Sequence, residues 1–261
     1  MLRVASLHIY PVKACAAVDL ELMNLDNRGP CGDRRYMVVD DQDRFLTQRE
    51  APSLALVRPS LLPIGLRLET LGQSPITVCD GLTRRRVQVW RSELEALDCG
   101  DEAAQWLSAH LSRSVRLVSM APDVRRPIDA PHEGAPTSVA FADGFPLLVT
   151  HMASLHELNG RLDSPVSMNR FRANIVIDGG DPWDEDAWTA LGLGSAELTL
   201  PKPCERCKVV SVDQRTGVTS KEPLRTLATY RRVTGAGIIF GQNAIHSGPA
   251  TIEVGDRVEA L

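Results

Sequence analysis

Short hydrophobic stretches separated by polar residues dominate the N-terminal third of the chain. They are rich in Val, Ile, Leu and Thr and bounded by Gly, Pro or Asp, and they occupy residues 3–12, 36–47, 66–70, 76–80 and 85–90. Such residues at period two favour half-buried strands, and Gly and Pro favour the turns between them. The pattern therefore predicts a series of twisted antiparallel strands.

A helical period replaces the strand pattern after residue 98. Apolar side chains near one helical face recur at Ala103, Trp106, Leu107 and Leu111. This spacing predicts a helix from about Glu102 to Leu111, with Asp98 or Asp101 as its cap. Residues 115–120 return to a strand pattern, and Ala121–Ser138 is rich in Pro and charge. We interpret this last segment as the connection between two domains, or as a long loop at their seam.

The second half of the chain mixes both patterns. Leucines at helical spacing predict a helix over Ala153–Leu162 with Thr150 or Ser154 as its cap, and residues 185–191 predict a short helical turn. Strand patterns occupy residues 171–179, 196–200, 208–212, 237–245 and 250–261. Many short strands with few helices indicate a β-rich α+β protein whose second half is a barrel. We place the first domain at residues 1–120 and the second at residues 121–261.

Composition and charge narrow the class of protein. With 261 residues, 43% of them hydrophobic and 24% charged, the chain can bury a large core and has the composition of an ordinary soluble protein. A formal net charge of −4 gives no electrostatic reason to expect nucleic acid or an anionic membrane as a main partner. No apolar stretch approaches the roughly 18 residues that span a bilayer, and the start lacks a signal-peptide pattern. We therefore expect a cytoplasmic protein that does not bind membranes.

Six cysteines, at positions 15, 31, 79, 99, 204 and 207, are scattered through the chain. A chain of this length needs no disulfide framework, so we expect thiols. Cys204 and Cys207 form a C-x-x-C pair, but a zinc site would need a second pair of ligands, and a redox dithiol would precede a helix rather than the β-type run 208–212. Spacing alone leaves four possibilities open: half of a zinc site, a redox pair, one metal ligand with a bystander, or two core residues.

Two basic segments in the N-terminal part are candidates for binding. Lys13 follows Pro11 at the end of the first predicted strand, and from residue type alone we expect a solvated surface lysine. Arg34 and Arg35 follow a Gly-rich turn, and in a strand their guanidinium groups would point to opposite faces. One of the two could then be exposed while the other faces inward toward an anion.

A third basic segment precedes the apolar run 175–177. Arg170 and Arg172 would share one face if the strand has already begun there. A guanidinium at the mouth of a buried strand needs a carboxylate or a bound phosphate, because unpaired burial is costly. With the amide of Asn174, these arginines could grip a phosphorylated cofactor; the alternative is an ordinary salt bridge at a sheet edge.

The order of several segments along the chain resembles one protein family. The segments are LHIYPVKAC, GDRRYMVVD, FLTQRE, DCGDEAAQWLS, ASLHELNGRL, FRANIVIDGGDPWDEDAW, CERCKVVSVDQRTG, EPLRTLATYRR, IIFGQNA and IEVGDRVEAL. Over nearly the whole chain they resemble MOSC-domain proteins with the associated N-terminal β-barrel domain, in the branch of the mitochondrial amidoxime reducing component and its bacterial relatives. The resemblance implies an N-terminal β-barrel-like domain packed on a C-terminal MOSC β-barrel, with a molybdenum cofactor at the seam.

The resemblance also implies roles for individual residues. Cys207, the second cysteine of the pair, would be the catalytic residue and the thiolate ligand of molybdenum, a metal that suits a soft sulfur ligand. Lys13 would lie near the phosphate of the molybdopterin, and Arg34 matches the arginine of the family's turn. Arg172 with Asn174 matches the R-x-N that reaches the cofactor.

The chain departs from the family pattern in two places. Ala14 stands where close relatives have a serine after the lysine. In the segment FADGFPLL, Asp143 is kept, but Gly144 and Phe145 replace two hydroxyl residues. Backbone amides can still bind a phosphate there, so we expect cofactor contacts at these three positions.

The activity implied by the resemblance is the reduction of N-hydroxylated compounds such as amidoximes, hydroxylamines and N-hydroxylated bases, with the redox chemistry supplied by the cofactor. No cysteine follows Cys207 and no trusted dinucleotide fingerprint occurs. We expect no iron–sulfur cluster or pyridoxal phosphate in this chain, and a separate electron donor such as a ferredoxin, a cytochrome b5-type protein or a flavin reductase. The alternative is a cofactor carrier or a sulfur-transfer protein that uses Cys207 as a persulfide.

Overall fold

The protein, seen in a computed structural model that describes residues 1–128 and 138–261, consists mainly of short strands. The strands are β1 (Leu2–Ile9), β2 (Val18–Leu20), β3 (Leu22–Asp26), β4 (Gly29–Pro30), β5 (Tyr36–Val39), β6 (Arg58–Leu61), β7 (Leu66–Thr70), β8 (Gln73–Val78), β9 (Thr83–Val89), β10 (Ser92–Asp98), β11 (Arg116–Met120), β12 (Arg126–Pro127), β13 (Ser138–Val139), β14 (Leu147–His151), β15 (Ile175–Asp178), β16 (Ala190–Leu193), β17 (Ala196–Glu205), β18 (Arg232–Val233), β19 (Gly237–His246), β20 (Ala250–Glu253) and β21 (Arg257–Ala260). The α-helices are α1 (Asp101–Leu111), α2 (Met152–Asn159) and α3 (Leu224–Tyr230), and 3-10 helices cover Pro52–Leu56, Met168–Phe171, Asp184–Asp186 and Lys208–Ser211. The predicted connection Ala121–Ser138 lies partly outside the described residues.

Within the described residues, seven strands close into a barrel in the order β14, β15, β1, β21, β16, β17, β19, and β19 pairs back onto β14. Neighbouring strands are antiparallel except β14 and β15, which are parallel. The inward-facing side chains are aliphatic, and Leu191, Leu193 and Leu198 are all buried in one core with Ile175 and Ile177. The predicted β-rich fold with a barrel is confirmed.

One barrel strand comes from the opposite end of the sequence. Strand β1 pairs with β15 through Leu7 and Ile175, and with β21 through Leu2 and Val258. Strand β3 likewise pairs with β20. The first thirty or so residues are therefore shared between the two halves, and the boundary at residues 120 and 121 stays a prediction.

The rest of the N-terminal part forms a four-stranded sheet in the order β5, β11, β10, β9 and a three-stranded sheet in the order β6, β7, β8. Helix α1 covers them, because Trp106 and Leu107 share a core with Val38 and Leu68. The chain passes from the barrel into this part just after β1, where the Lys13 amide donates to the Tyr36 carbonyl at 2.8 Å. The residues after β1 therefore lie at the seam.

The two long helices form near the predicted places but are capped differently. Helix α1 begins at Asp101 after Gly100, whose φ of 92° only glycine adopts readily, and the Asp98 carboxylate accepts from the Gly100 amide at 2.9 Å. Helix α2 follows His151 without a side-chain cap, and the Ser154 hydroxyl donates to Glu185 at 2.7 Å instead. The predicted caps Asp98, Asp101, Thr150 and Ser154 are wrong. Asp98 and Asp101 bind Arg116 and Ser154 binds Glu185, whereas the buried Thr150 hydroxyl has no partner in the described residues.

The predicted strand at residues 208–212 is also wrong. Lys208–Ser211 is a 3-10 helix in which the Val210 amide donates to the Cys207 carbonyl at 3.2 Å. Val210 is buried in a core with Phe171, Leu227 and Phe240, and this packing supports a single turn as well as a strand would. The C-x-x-C pair therefore stands at the end of β17 and in the loop after it, not at the start of a strand.

His151, the last residue of β14, forms a fully buried pair with Glu185. The His151 Nε2 bonds the Gly179 carbonyl, and its Nδ1 lies 3.5 Å from Glu185 Oε2. Burial lowers the pKa of His151, but Glu185 and the Gly179 carbonyl outweigh this and raise it above 6.5, and Asp184 and Asp178 add charge nearby. The folded state therefore favours the protonated imidazole.

We expect stability to fall with rising pH because of this pair. A raised folded-state pKa contributes stability that is present below the unfolded pKa of 6.5 and is lost as the pH rises through the folded pKa. One proton limits the slope to about 1.4 kcal/mol per pH unit. Urea unfolding between about pH 6 and pH 8 measures it, and His151→Gln should flatten the profile. A profile that is equally steep in the variant would contradict this assignment.

Candidate functional site

A cleft of about 420 Å³ opens between the barrel and the N-terminal sheets. It is lined by Lys13, Ala14, Arg34, Thr47, Gln48, Arg49, Trp90, Ala142, Asp143, Gly144, Phe145, Leu147, Leu148, Phe171, Arg172, Asn174, Cys204, Glu205, Arg206, Cys207, Val209 and Asn243. All the residues predicted for the site, from five separate parts of the sequence, lie in this one lining. A volume of this size is that of a small-molecule or cofactor site.

The charge of the cleft is opposite to that of the protein. Five cationic side chains line it, against the two carboxylates of Asp143 and Glu205, although the chain as a whole carries a net charge of −4. Clustered cations in a concave, partly desolvated site attract anions, because the low dielectric strengthens their field. The cleft is therefore suited to an anionic ligand.

Lys13 is buried, so the expectation of a solvated surface lysine is wrong. Its Nζ donates to the Phe141 carbonyl at 2.8 Å, forms an ion pair with Asp143 and lies 5.4 Å from the centre of the Phe45 ring. Burial lowers the pKa of Lys13, and Asp143 opposes that shift. With two of its three N–H groups engaged, Lys13 keeps one donor for a ligand.

Asp143 joins the two walls of the cleft. Its carboxylate accepts from the Trp90 indole at 3.0 Å as well as from Lys13. Desolvation would raise the pKa of Asp143, but Lys13 and Trp90 together hold it well below its usual range. The Asp143 carboxylate is thus charged and bound to two protein partners, although much of the side chain stays exposed, whereas Gly144 beside it is buried.

The side chains of Arg34 and Arg35 point in different directions, as expected. Both residues lie before the strand rather than in it, because β5 begins only at Tyr36. Arg34 enters the cleft, forms an ion pair with Asp33 and donates to Asn174 Oδ1 at 3.0 Å. Arg35 binds Asp26 at 2.8 Å on another side. Burial opposes the charge of Arg34, but Asp33 outweighs it and raises the pKa, so Arg34 is a permanent cation.

Arg170 and Arg172 do not share a strand face, because β15 begins only at Ile175 and a 3-10 helix precedes it. Arg170 turns away and pairs with Asp213 at 2.9 Å. Arg172 adopts a φ of 57° and donates to the Cys15 carbonyl at 2.6 Å. Within the described residues no carboxylate lies at ion-pair distance from Arg172, and burial lowers its pKa. Arg172 therefore offers an unneutralised charge to the cleft.

Asn174 is fixed in place by the protein. Its Oδ1 accepts from Arg34 and, at 3.2 Å, from the Leu148 amide, and its Nδ2 donates to the His8 carbonyl at 3.1 Å. Both ends of the amide are therefore engaged. The side chain holds Arg34 in position, and the predicted contact with a cofactor would have to compete with these bonds.

The two cysteines of the C-x-x-C pair differ. Cys207 is exposed and lies at the mouth of the cleft before the 3-10 helix Lys208–Ser211, whereas Cys204 is half-buried at the end of β17. The Cys204 sulfur accepts from Arg206 at 2.9 Å. Cys207 is therefore the thiol that is free for a ligand, and Cys204 is tied to its neighbour.

Among the cleft residues that were not predicted from the sequence, three contact the predicted ones or the walls beside them: Arg206, Trp90 and Arg49. Arg206 donates to the Phe171 carbonyl at 2.6 Å, and its buried Nε has no partner in the described part of the chain. Trp90 binds Asp143, and Arg49 stacks on Trp90 at 5.1 Å. The position of Arg206 between the two cysteines was the available signal; Trp90 and Arg49 gave none, because only the fold brings them to the cleft.

Two family comparisons agree with this architecture. Residues 1–114 match the family described as MOSC N-terminal beta barrel domain, and residues 136–259 match the MOSC domain. The fold and cleft thus define a two-part MOSC protein.

Individual relatives show more narrowly which MOSC proteins the chain resembles. The chain is 36% identical to human mitochondrial amidoxime-reducing component 1 over 99% of the chain and 82% of that protein. It is 32% identical to the bovine mitochondrial amidoxime reducing component 2 over 87% of the chain and 72% of that protein. The molybdenum cofactor sulfurase of Danio rerio is 29% identical over 97% of the chain but only 34% of its own length. The chain belongs to the family of MOSC-domain proteins with the MOSC N-terminal domain that includes the amidoxime-reducing components.

Two further properties concern all the described residues. None of their helices is long and apolar enough to cross a membrane. They contain no group of three or more His, Cys, Asp or Glu side chains arranged to hold a metal ion. A metal in this cleft would have Cys207 as its exposed protein thiol.

Proposed function

We propose that this protein is a molybdenum-cofactor-dependent reductase of N-hydroxylated compounds. The observation that carries the proposal is that the exposed Cys207 thiol shares one cleft with an excess of cations, among them Arg172 without a carboxylate partner in the described residues. Relatives that cover the chain almost completely are named amidoxime-reducing components. Together they favour an anionic cofactor that carries a soft metal.

The residues present fit such a cofactor. Arg172, the remaining donor of Lys13 and the orphaned Nε of Arg206 are groups that a phosphorylated pterin would satisfy. Cys207 would supply a thiolate, the ligand type that suits a metal with other sulfur ligands. When bound, the cofactor supplies the two-electron redox chemistry that no side chain of the cleft can provide.

The substrate would enter from a groove that joins the cleft. This groove, of about 1400 Å³, shares Trp90, Asp143 and Phe145 with the cleft lining. Lys202 lies 4.9 Å from the centre of the Phe145 ring, and the lining of the groove contains both aromatic and cationic side chains. Planar amidoximes and N-hydroxylated bases fit such walls. Each turnover gives the substrate two electrons and two protons, breaks its N–O bond and releases water with the amine or amidine.

A sulfur-transfer or cofactor-carrier role is the second candidate. The relative named molybdenum cofactor sulfurase and the exposure of Cys207, which could hold a persulfide, favour it. Labile sulfur on Cys207 without molybdenum would support sulfur transfer, and stably bound cofactor without turnover would support a carrier.

The test of the proposed function starts with the purified full-length chain from a host that makes the cofactor. We expect molybdenum and pterin equimolar with the chain, and reduction of benzamidoxime by dithionite-reduced methyl viologen. Protein that lacks both molybdenum and pterin after expression in such a host would refute the proposal.

We expect NADH alone to give only background turnover, because the donor is proposed to be a separate redox protein such as a ferredoxin, a cytochrome b5-type protein or a flavin reductase. The measurement is benzamidoxime reduction with NADH, with and without an added flavin reductase and ferredoxin. The methyl viologen reaction of the same preparation is the control. Full turnover with NADH and purified protein only would contradict the prediction.

The cellular location belongs to the proposal as well. We propose a cytoplasmic protein on the grounds of its composition, which is that of an ordinary soluble protein. The relatives carry the word mitochondrial in their names. Fractionation of the native cells would decide between the two locations.

A further inference from the structure

The Tyr10 ring contacts two of the cleft arginines, Arg34 and Arg172. The guanidinium carbon of Arg34 lies 4.5 Å from the centre of the Tyr10 ring, and that of Arg172 lies 4.1 Å from it. Tyr10 is 1% exposed, and its hydroxyl donates to the Ala173 carbonyl at 3.1 Å. The hydroxyl anchors the ring beside Arg172, while the ring face is given to the two cations.

The Tyr10 ring offsets the repulsion between two buried positive charges. Both guanidinium groups contact the same buried ring, so two positive groups are held around one side chain. Asp33 forms an ion pair with Arg34, but no carboxylate of the described residues pairs with Arg172. The negative face of an aromatic ring attracts cations without neutralising their charge. Tyr10 can therefore keep the two guanidinium groups together and still leave their charge available.

The ring is neutral under ordinary conditions. Burial raises the pKa of Tyr10 to about 12, and the two arginines only partly oppose this shift. A phenolate would form an ion pair with the arginines and compete with an anionic ligand, whereas the neutral ring does not.

We propose that Tyr10 is a positioning residue that holds Arg34 and Arg172 as a paired receptor for a phosphate group of the ligand. This inference rests on the proposed function and deepens it, because it assigns the part of the cleft lined by Arg34 and Arg172 to the phosphate. The ring has to be aromatic for this role, and its hydroxyl matters less, since the hydroxyl contacts only the Ala173 carbonyl.

The test uses full-length protein from a host that lacks the cofactor, and inorganic pyrophosphate as the probe. We expect titration calorimetry to detect pyrophosphate binding by the unmodified protein. The affinity of Tyr10→Phe should lie within about threefold of that value. Tyr10→Leu should bind about tenfold more weakly or worse, which is the size expected when two cation–π contacts are lost. Recovery of binding by the phenylalanine variant separates the ring from the hydroxyl.

Tyr230→Leu is the matched control. Its ring lies 4.0 Å from Arg161, a similar tyrosine–arginine contact, and it lies outside the cleft lining. We expect this variant to bind pyrophosphate like the unmodified protein, whatever its effect on the unfolding temperature. Equal losses in Tyr10→Leu and Tyr230→Leu would show a general structural effect and overturn the proposal.

A second series covers the case in which Tyr10→Leu does not fold. Phenylalanine analogues with increasing fluorine content at position 10 weaken the negative ring face with little change in size. We expect pyrophosphate affinity to fall stepwise with fluorination, and pterin content to fall in parallel in a cofactor-making host. Affinity that does not change with fluorination, or no detectable binding by the unmodified protein, overturns the proposal. Ring-dependent pyrophosphate binding combined with an absence of molybdenum and pterin from protein made in a cofactor-making host would support the role of Tyr10 and count only against the proposed function.

Discussion

Replacing Cys207 by Ser abolishes benzamidoxime reduction and leaves the fold intact. Cys207 is exposed in the loop before the 3-10 helix, so its side chain carries little of the packing energy. It is also the proposed protein ligand of the metal, and a hydroxyl is a poor replacement for a thiolate at a soft site. Removal of groups that merely support a ligand costs about 10–100-fold, so we expect a loss of activity beyond 100-fold. Steady-state turnover with reduced methyl viologen measures it.

Cys204→Ser is the matched control for this substitution. Cys204 lines the same cleft two residues before Arg206, but its sulfur is engaged by that guanidinium at 2.9 Å. A hydroxyl can accept the same hydrogen bond, so we expect activity within about threefold of the unmodified protein. Molybdenum content should be lower in the Cys207 variant than in the Cys204 variant. The assignment fails if Cys207→Ser stays fully active, or if Cys204→Ser is the inactive variant.

The strands were the part of the fold most visible in the sequence. Residues 3–12 and 85–90 alternate in polarity, and both become strands because one face of each meets a core. The apolar run at residues 208–212 was ambiguous, because three valines beside a hydrophobic core are compatible with a single 3-10 turn as well as with a strand. The cap of α1 was missed because Asp98 is drawn to Arg116 at 2.5 Å, a partner that only the fold brings near.

The sequence predicted which residues line the cleft better than it predicted the burial and the partners of their side chains. Lys13 was expected in solvent from its residue type, and it is buried because Asp143, 130 positions away in sequence, folds against it. Arg170 and Arg172 are equivalent in the sequence, yet one meets Asp213 and the other enters the cleft. These differences arise from tertiary contacts between distant segments, and local pattern carries no information about them.

Replacing Arg172 by Met weakens ligand binding strongly while changing the stability of the cofactor-free protein little. A charge-assisted hydrogen bond to an anion contributes about 1.5–3 kcal/mol, which corresponds to a loss of about 10–100-fold in pyrophosphate affinity. The bond to the Cys15 carbonyl is lost as well, but a buried charge close to Arg34 and without a carboxylate is removed at the same time. We therefore expect the free energy of unfolding to change by less than about 1 kcal/mol. Calorimetric titration and urea unfolding measure the two quantities on the same preparation.

Arg170→Met makes the opposite prediction and serves as the control. Arg170 lies two residues earlier, but its guanidinium pairs with Asp213 at 2.9 Å and does not line the cleft. Its loss should lower the free energy of unfolding by about 1 kcal/mol, because Asp213 loses its partner, and should leave pyrophosphate affinity unchanged. If both variants lose affinity equally, the positive field of the whole region rather than Arg172 holds the anion. If Arg172→Met binds normally, the unneutralised charge in the cleft serves no phosphate, and the anionic cofactor loses its main structural support.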